Sequence, residues 1–258
     1  MTTGPHGIWL PTSMLILGTM LLGALWQPHD PHAVDLNDVL SGPSVHHWLG
    51  TDHLGRDVAS RILAGAQPSL TAIAIVLVSS IGLGVAAAMA IGFGPPAIAH
   101  SVRWLAETAL ALPTLIMALL LSALFGAGLL AISAALIAST WAPYALSIAA
   151  LLERLKGEQY WLATLALGSS TSDAVRRHLL PNTWPVLGAL TGADAGRAIV
   201  LVASLGFLGL SADTGQPEWG AMVYEYRMFL FSEPRLVLAP VLATAIAAFV
   251  LNRSLDRS

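Results

Sequence analysis

Residues 153–182 read ERLKGEQYWLATLALGSSTSDAVRRHLLPN, and this stretch organises the rest of the chain. It is the longest polar interval between apolar segments in the second half of the chain, and apolar sequence of membrane length stands on both sides. A helical run at residues 159–167 ends at Gly168, and a Ser/Thr/Asp cluster follows it. Gly168 is the predicted turn residue, because glycine adopts a positive φ without steric cost. A polar helix–turn–helix between two spans predicts a rigid docking surface for a soluble partner.

The composition predicts a membrane protein. The 258 residues are 55% hydrophobic and 10% charged, with a mean hydropathy of +0.71, whereas a soluble domain carries about 25% charged residues. The absence of cysteine excludes disulfides, thiolate nucleophiles and Cys-type zinc sites. The net charge of −3 offers no basic face for nucleic acid. The chain also lacks the G-x-x-x-x-G-K-[ST] motif, so ATP hydrolysis would require another subunit.

Six apolar stretches predict an all-α, polytopic protein with six transmembrane helices, since about 20 apolar residues cross the hydrocarbon core. The predicted segments are a tail at 1–7, spans at 8–26, 69–92, 104–125, 128–152, 183–210 and 236–251, outer loops at 27–68 and 211–235, and the 153–182 loop. Pro113 and Pro143 fall inside the third and fourth spans, where neighbouring helices can satisfy the carbonyls that proline frees. Asn182 is the predicted N-cap of the fifth span.

The basic residues predict the orientation. Six spans put both termini on one side, and that side carries seven of the twelve basic residues: Arg103, Arg154, Lys156, Arg176, Arg177, Arg253 and Arg257. The other side carries four: Arg56, Arg61, Arg227 and Arg235. The positive-inside rule therefore predicts that both termini and the 153–182 loop are cytoplasmic.

The first outer loop carries a charged pattern and a group of histidines. Asp52, Arg56, Asp57 and Arg61 alternate in sign at helical spacings, which predicts a salt-bridged network bracing the outer mouth. Five of the eight histidines also lie in this loop: His29, His32, His46, His47 and His53. Imidazole suits nickel, copper and zinc, so His46, His47 and His53 are candidate ligands. No H-x-x-x-H pair or cysteine fixes a geometry, and no metal site is assigned from the sequence.

The fifth predicted span contains a glycine stripe and two charges. Gly188, Gly192 and Gly196 form one face that lets another helix approach closely. Asp194 and Arg197 lie on the opposite face, one turn apart. Because ionisable groups at membrane depth are costly when unpaired, they should face a partner or a cavity. The two residues either pair with each other only, or line a translocation path together with Leu201.

The 153–182 loop resembles the EAA loop of bacterial ABC-importer permeases, which commonly reads E-A-A-x-x-x-G and, further on, H-I-L-P-N. Gly168, His178 and Leu180-Pro181-Asn182 match, whereas the triplet reads Leu162-Ala163-Thr164. The resemblance implies a coupling helix that sits in a cleft of an ATPase subunit. The contact residues that it implies are Ala163, Gly168, Ser169, His178, Pro181 and Asn182.

Residues 50–57, GTDHLGRD, resemble the second (C-type) permease of the dipeptide/oligopeptide/nickel ABC-importer family, and the preceding His-Trp is more similar to the nickel permeases. The resemblance covers nearly the whole chain, including FLGL at 207–210 and EWG at 218–220. Two departures stand out. Val202 occupies a position where peptide permeases often carry Glu, and residues 252–256 depart from the usual C-terminal G-D-x-L-R-D.

This family implies one transmembrane domain over residues 1–258, in the inner membrane, with the ABC importer permease fold. It implies a homologous second permease, two ATPase subunits and an extracytoplasmic solute-binding protein as partners, with ATP and Mg on the ATPases and no cofactor in this chain. The solute is either nickel or a metal chelate, which His47-Trp48 and Val202 favour, or a dipeptide or oligopeptide. An intramembrane enzyme and a structural membrane subunit are the alternatives from other classes.

Overall fold

The computed structural model describes Gly18, residues 26–211 and residues 215–255. Within these ranges the chain is helical and has no strand, only an isolated bridge between Thr51 and Asp57. The α-helices of the described residues are α1 (Val58–Phe93), α2 (Pro96–Ala111), α3 (Thr114–Phe125), α4 (Leu129–Lys156), α5 (Gln159–Ala166), α6 (Thr171–Ala174), α7 (Leu180–Leu205), α8 (Trp219–Tyr226) and α9 (Pro234–Leu255). One π-turn, Val175–Leu179, joins α6 to α7, and another, Gly206–Leu210, extends α7.

Four helical stretches of the described residues are long and apolar enough to cross a membrane: Val58–Phe93, Leu129–Lys156, Thr171–Leu210 and Pro234–Arg253. The pair α2 and α3 makes a fifth if the two helices count as one bent span. The predicted first span, residues 8–26, lies outside the described residues apart from Gly18 and Trp26. The helical membrane class is therefore confirmed, and the number of six spans stays a prediction.

The helix of the second predicted span begins at Val58, well before the predicted start at residue 69. Asp57 caps it, because its carboxylate accepts a hydrogen bond from the backbone N–H of Ser60 at 2.7 Å. Pro68, the last residue of the predicted outer loop, lies inside the helix. α1 therefore extends 11 residues beyond the N-terminal end of the predicted span.

The prediction of one continuous helix over residues 104–125 is wrong. α2 ends at Ala111 and α3 begins at Thr114, with a bend of 98° between them. Leu112 is extended, with φ −85° and ψ 124°, because proline disfavours the helical conformation of the residue that precedes it. Pro113 therefore breaks this helix, whereas Pro143 remains inside α4.

Residues 153–182, which were predicted as a polar loop, are mostly helical. α4 continues to Lys156, and the second helix of the loop runs through the π-turn directly into α7. Asn182 is consequently not an N-cap, and its side-chain amide donates to the carbonyl of His178 at 2.7 Å. The fifth span and the second half of the loop form one helical stretch, Thr171–Leu210.

α1 and α4 pack side by side and form the centre of the protein. Ile73 and Val76 of α1 lie with Ile132 and Leu136 of α4 in the main apolar cluster. A hydrogen bond of 2.5 Å joins the hydroxyls of Ser80 and Thr140 across the same interface. The backbones approach closely at Gly84, where a Cβ would lie 2.4 Å from the Cβ of Tyr144 and 3.0 Å from the carbonyl oxygen of Trp141.

The predicted glycine stripe packs on α9 in part. Gly192 and Gly196 are buried, and the backbone N–H of Gly196 donates to the side-chain carbonyl of Asn252 at 3.1 Å. A Cβ at Gly196 would lie 2.1 Å from that oxygen. Gly188 has open space around it, so the close approach involves the C-terminal part of the stripe.

The α1–α4 packing predicts opposite effects for two glycines of the same helix. Gly84→Ala should lower the thermal unfolding temperature in detergent, because forcing a methyl group against Tyr144 and a fixed backbone oxygen costs about 1–3 kcal/mol. Gly82→Ala should have no adverse effect, since Gly82 has no atom within 4 Å of its Cβ position and Ala favours the helix. Equal unfolding temperatures for the two variants would contradict this packing.

Candidate functional site

A buried charge network joins the first outer loop to α8. Arg61 has no exposed side-chain surface, and its Nη2 donates to Glu225 Oε2 at 3.0 Å while its Nη1 donates to the carbonyl of Pro31 at 3.3 Å. Arg56 Nε donates to Asp52 Oδ2 at 2.7 Å, and its Nη2 bonds to Glu225. Removing one partner of such a buried pair typically costs about 3–5 kcal/mol. The network therefore fixes α8 against the start of α1.

The structure brings together the predicted outer-loop residues and adds two partners. Asp52, Arg56 and Arg61 share one cluster, whereas Asp57 serves separately as the cap of α1. Glu225 and Tyr226 were missed, although the Tyr226 hydroxyl donates to Asp52 at 3.0 Å. The only sequence signal for these partners was the presence of acidic residues in the second predicted outer loop. No sequence pattern links Arg56 to Glu225, which is 169 positions away.

The protonation of Asp52 reflects opposing effects. Burial by itself would raise the pKa of Asp52, but the positive charge of Arg56 and the backbone N–H groups of Leu54 and Arg56 outweigh it. The net result is a pKa of Asp52 below its ordinary value. Asp52 is consequently an anion at neutral pH, and it compensates the arginines beside it.

Glu218 is a second buried carboxyl on the outer side. It caps α8 by accepting from the backbone N–H groups of Gly220 at 2.8 Å and Ala221 at 2.7 Å, and from the hydroxyls of Ser211 and Ser69. Burial raises the pKa of Glu218 above its ordinary value, and these hydrogen bonds act against that rise. Glu218 thus holds the chain after α7 against α1.

The outer-loop histidines separate into different groups. His47 Nδ1 lies 2.9 Å from Asp57 Oδ1, and His29 Nδ1 lies 3.9 Å from Asp57 Oδ2. His53 instead lies 3.6 Å from Glu225 and stacks on Phe229. His46 is exposed and belongs to neither set. Of the three candidate ligands His46, His47 and His53, no two therefore share a site, and His29 was missed because it is far from His47 in sequence.

Residues 157–182, the predicted coupling segment, form a compact helical hairpin. Gly168 has φ +87°, as the turn requires, and Ser170 forms a reciprocal capping box with Asp173 at the start of α6. His178 Nε2 lies 3.0 Å from the hydroxyl of Thr164, which joins the two arms of the hairpin. The turn residue and the two-helix form agree with the sequence prediction.

An apolar base anchors the hairpin, whereas its tip is exposed. Trp161 is buried with Leu152, Leu155 and Leu179. The exposed surface of the hairpin instead presents large apolar side chains: Leu162 of α5 is 56% exposed, and Leu167, beside the Gly168 turn, is 87% exposed. Among the other predicted contact residues, Ala163, Gly168, Pro181 and Asn182 are exposed, and Ser169 and His178 are partly buried. The hairpin thus offers a rigid, partly apolar surface.

Asp194 and Arg197 line two cavities in common, and Leu201 borders only the smaller one. Arg197 Nη1 lies 4.0 Å from Asp194 Oδ1, and the two side chains are 64% and 16% exposed respectively. Both charged residues border a cavity of about 300 Å³ at the break between α2 and α3, with Thr114 and Ser139 on its wall. Leu201 joins them in a smaller cavity that also contains Tyr144. The pair is therefore loose, and it opens onto space rather than being sealed in the core.

Comparison with known proteins identifies the family. Residues 80–258 match the family model described as binding-protein-dependent transport system inner membrane component. The chain is 31% identical to the nickel transport system permease protein NikC of Escherichia coli (strain K12). The similarity extends over 244 residues, which are 93% of this chain and 88% of that relative.

Two other relatives are similar over the same extent. The probable D,D-dipeptide transport system permease protein DdpC of Escherichia coli (strain K12) is 34% identical, covering 93% of this chain and 82% of that relative. The glutathione transport system permease protein GsiD of Shigella dysenteriae serotype 1 (strain Sd197) is 29% identical, covering 93% of this chain and 80% of that relative. The chain therefore belongs to the family of binding-protein-dependent transport system inner membrane components, as a multi-pass permease subunit of an ABC importer and not an enzyme.

Proposed function

We propose that this permease subunit imports a metal ion within a small, carboxylate-bearing chelator, along a path lined by Asp194, Arg197 and Leu201. The exposure of Arg197 carries the proposal. Its guanidinium is 64% exposed at the cavity beside the α2–α3 break, whereas Asp194 is only 16% exposed. The charge presented to a solute is therefore positive, and a guanidinium binds a carboxylate through two parallel hydrogen bonds.

The wall of the cavity favours a chelate over a bare ion. Its lining residues include no histidine and a single carboxylate, that of Asp194: they are Ala109, Leu110, Leu112, Pro113, Thr114, Ser139, Thr140, Pro143, Asp194 and Arg197. Imidazole and thiolate are the groups that bind nickel, copper and zinc well. A bare ion would find few ligands here, whereas a chelator would meet Arg197. The similarity to NikC and the His47-Trp48 pair support a metal as the cargo.

A short peptide is the second candidate solute. The similarity to DdpC supports it, and a peptide carries a carboxylate for Arg197 and an amino group for Asp194. Val202, where peptide permeases often carry Glu, is buried in the main apolar cluster and offers no second acid. This difference favours the chelate.

Uptake by the complete complex in proteoliposomes distinguishes these solutes. With ATP inside and the solute-binding protein outside, we expect uptake of labelled nickel with histidine as chelator, and less uptake of nickel alone or of a labelled dipeptide. Uptake of the dipeptide without nickel would establish the second candidate. Uptake of nickel independent of the chelator would contradict the argument from Arg197.

The path requires a second wall, which we assign to the homologous permease. The glycine stripe and Asn252 bury the opposite face of α7 within this subunit, and Arg197 remains open on the other face. Each charge at membrane depth costs at least about 2.5 kcal/mol if unpaired, so an exposed guanidinium needs a polar surrounding. A water-filled cavity between two permeases supplies it.

Exchanging the two charges tests this path. Asp194→Arg combined with Arg197→Asp keeps an ion pair but moves the carboxylate to the exposed position. We expect normal assembly and loss of at least about 90% of transport, corresponding to more than 1.4 kcal/mol of lost solute interaction. The matched control exchanges Arg103 and Glu153, an exposed ion pair outside the cavity, and should keep transport. Full transport by the first variant would show that Asp194 and Arg197 serve only each other.

The coupling hairpin is the proposed docking site for an ATPase subunit. Its exposed Leu162 and Leu167 supply apolar contact area, and the capping box and the Thr164–His178 bond make the surface rigid. The contact residues remain those of the EAA-like pattern: Ala163, Gly168, Ser169, His178, Pro181 and Asn182. Two ATPases with ATP and Mg, and a solute-binding protein on the outer side, complete the proposed assembly. The distribution of basic residues supports a cytoplasmic hairpin.

Two substitutions at Gly168 test the coupling. Gly168→Val should abolish most solute-stimulated ATPase activity, because a left-handed conformation costs an ordinary residue about 1–2 kcal/mol and a β-branched residue more. Gly168→Asn should retain it, since Asn tolerates this conformation. Neither side chain meets an atom within 4 Å of Cβ, so only the backbone preference differs. Equal stimulation in the two variants, with the complex intact, would contradict the proposal.

A further inference from the structure

We propose that His29, His47 and Asp57 form a binding site for a divalent transition-metal ion on the outer face of the protein. One ligand atom of each residue lies within 4.8 Å of the others, and the two imidazole rings are 4.7 Å apart between centroids. Metal–nitrogen and metal–oxygen bonds of about 2.0–2.2 Å place the ligand atoms of a tetrahedral ion roughly 3.4 Å apart. His47 Nδ1 already lies 2.9 Å from Asp57 Oδ1, and the exposed His29 ring, whose Nδ1 lies 3.9 Å from Asp57 Oδ2, must move inward to complete the set.

The choice of ligands sets the class of metal. Two imidazoles and one carboxylate suit zinc, nickel and cobalt, whereas calcium and magnesium prefer oxygen ligands throughout. Three protein ligands leave a coordination position open. His29 is 41% exposed at its side chain, so that position faces the outside solution and accepts water or a ligand group of a solute.

The residues around the site hold the ligands in place. His47 Nε2 lies 3.4 Å from Asp38 Oδ2, and a carboxylate on the second ring nitrogen is the usual support of a metal-binding histidine. Asp57 is 2% exposed at its side chain, and its Oδ2 accepts from both the N–H and the hydroxyl of Ser60 at 2.7 Å. The backbone N–H of His29 also bonds to the Ser60 hydroxyl, at 3.0 Å. The site is therefore built into the start of α1 rather than formed by freely moving loop side chains.

A second cluster of two acidic residues and one histidine is less suited to bind a metal ion. Asp52, His53 and Glu225 also lie close together, but both carboxylates already compensate Arg56 and Arg61. An added cation there would face two guanidinium groups. Asp57 instead makes its contacts at ion-pair distance with His29 and His47, and imidazole is itself a ligand of transition metals.

The site differs from the translocation path proposed above and does not depend on the identity of the solute. Its ligands come from two separate parts of the first outer loop and from the cap of α1. A bound ion would therefore clamp the first predicted outer loop to α1, on the side proposed for docking of a solute-binding protein.

Residue-resolved labelling of the intact complex tests the site without any substitution. Diethyl pyrocarbonate modifies accessible imidazoles, and mass spectrometry reports each histidine separately. We expect micromolar Zn²⁺ to slow modification of His29 and His47 by more than about tenfold, as metal ligation blocks a ring nitrogen. His32 and His46, exposed histidines of the same loop, should react at unchanged rates. Equal effects on all four histidines, or none on His29 and His47, would overturn the proposal.

Cobalt spectroscopy of matched variants gives a second test. Co²⁺ added to the complex without the solute-binding protein should give a visible absorption band of a nitrogen- and oxygen-ligated ion. His29→Gln should remove the band, and His46→Gln should leave it intact. His29→Gln keeps its backbone bond to Ser60 and changes a half-exposed side chain, so folding is preserved. A band of the same intensity in both variants would refute the assignment.

Discussion

The packing of α8 against the start of α1 depends on the buried guanidinium of Arg61. Its partners are Pro31 and Asp52, which precede α1, and Glu225 of α8, which is 164 positions away in sequence. Because an uncompensated buried charge costs about 3–5 kcal/mol, these segments cannot separate independently. The network therefore holds α8 in place. Glu218 and Trp219 at the start of that helix then bind Ser69 and the carbonyl of Ile62 on α1.

A single helical stretch connects the two ends of the permease. Residues Thr171–Leu210 run from the coupling hairpin past Asp194 and Arg197 to the segment that Glu218 holds. The packing of Gly196 against Asn252 fixes this stretch to α9 along one face. The hairpin and the charged residues at the cavity therefore belong to one continuous, packed helical stretch.

The break at Pro113 gives the cavity its shape. Residues on both sides of the break, from Ala109 to Thr114, line the cavity beside Asp194 and Arg197. The 98° bend exposes Thr114 next to Ser139, and the hydroxyls of these residues lie within 3.2 Å of each other. Polar groups at this depth fit a water-accessible wall, because irregular backbone in a membrane occurs where protein or a cavity covers it.

A proline in an apolar stretch had two possible outcomes, a kink within a helix or a break. The sequence did not distinguish Pro113 from Pro143, since the outcome depends on which neighbouring helices satisfy the freed carbonyls.

The sequence by itself determined the properties that follow from composition and local conformation. Its hydropathy determined a helical membrane protein, and the Gly168 turn determined the hairpin, because a positive φ is a local requirement. The GTDHLGRD and EAA-like patterns indicated the permease family. Only the tertiary structure decided which charges meet: Glu225 joins Arg61, His29 joins His47, and Arg197 remains exposed while Asp194 is largely covered. These outcomes depend on the packing of segments that are far apart along the chain. Coulomb and hydrogen-bond energies depend on the distance between groups in space, and spacing along the sequence does not determine that distance.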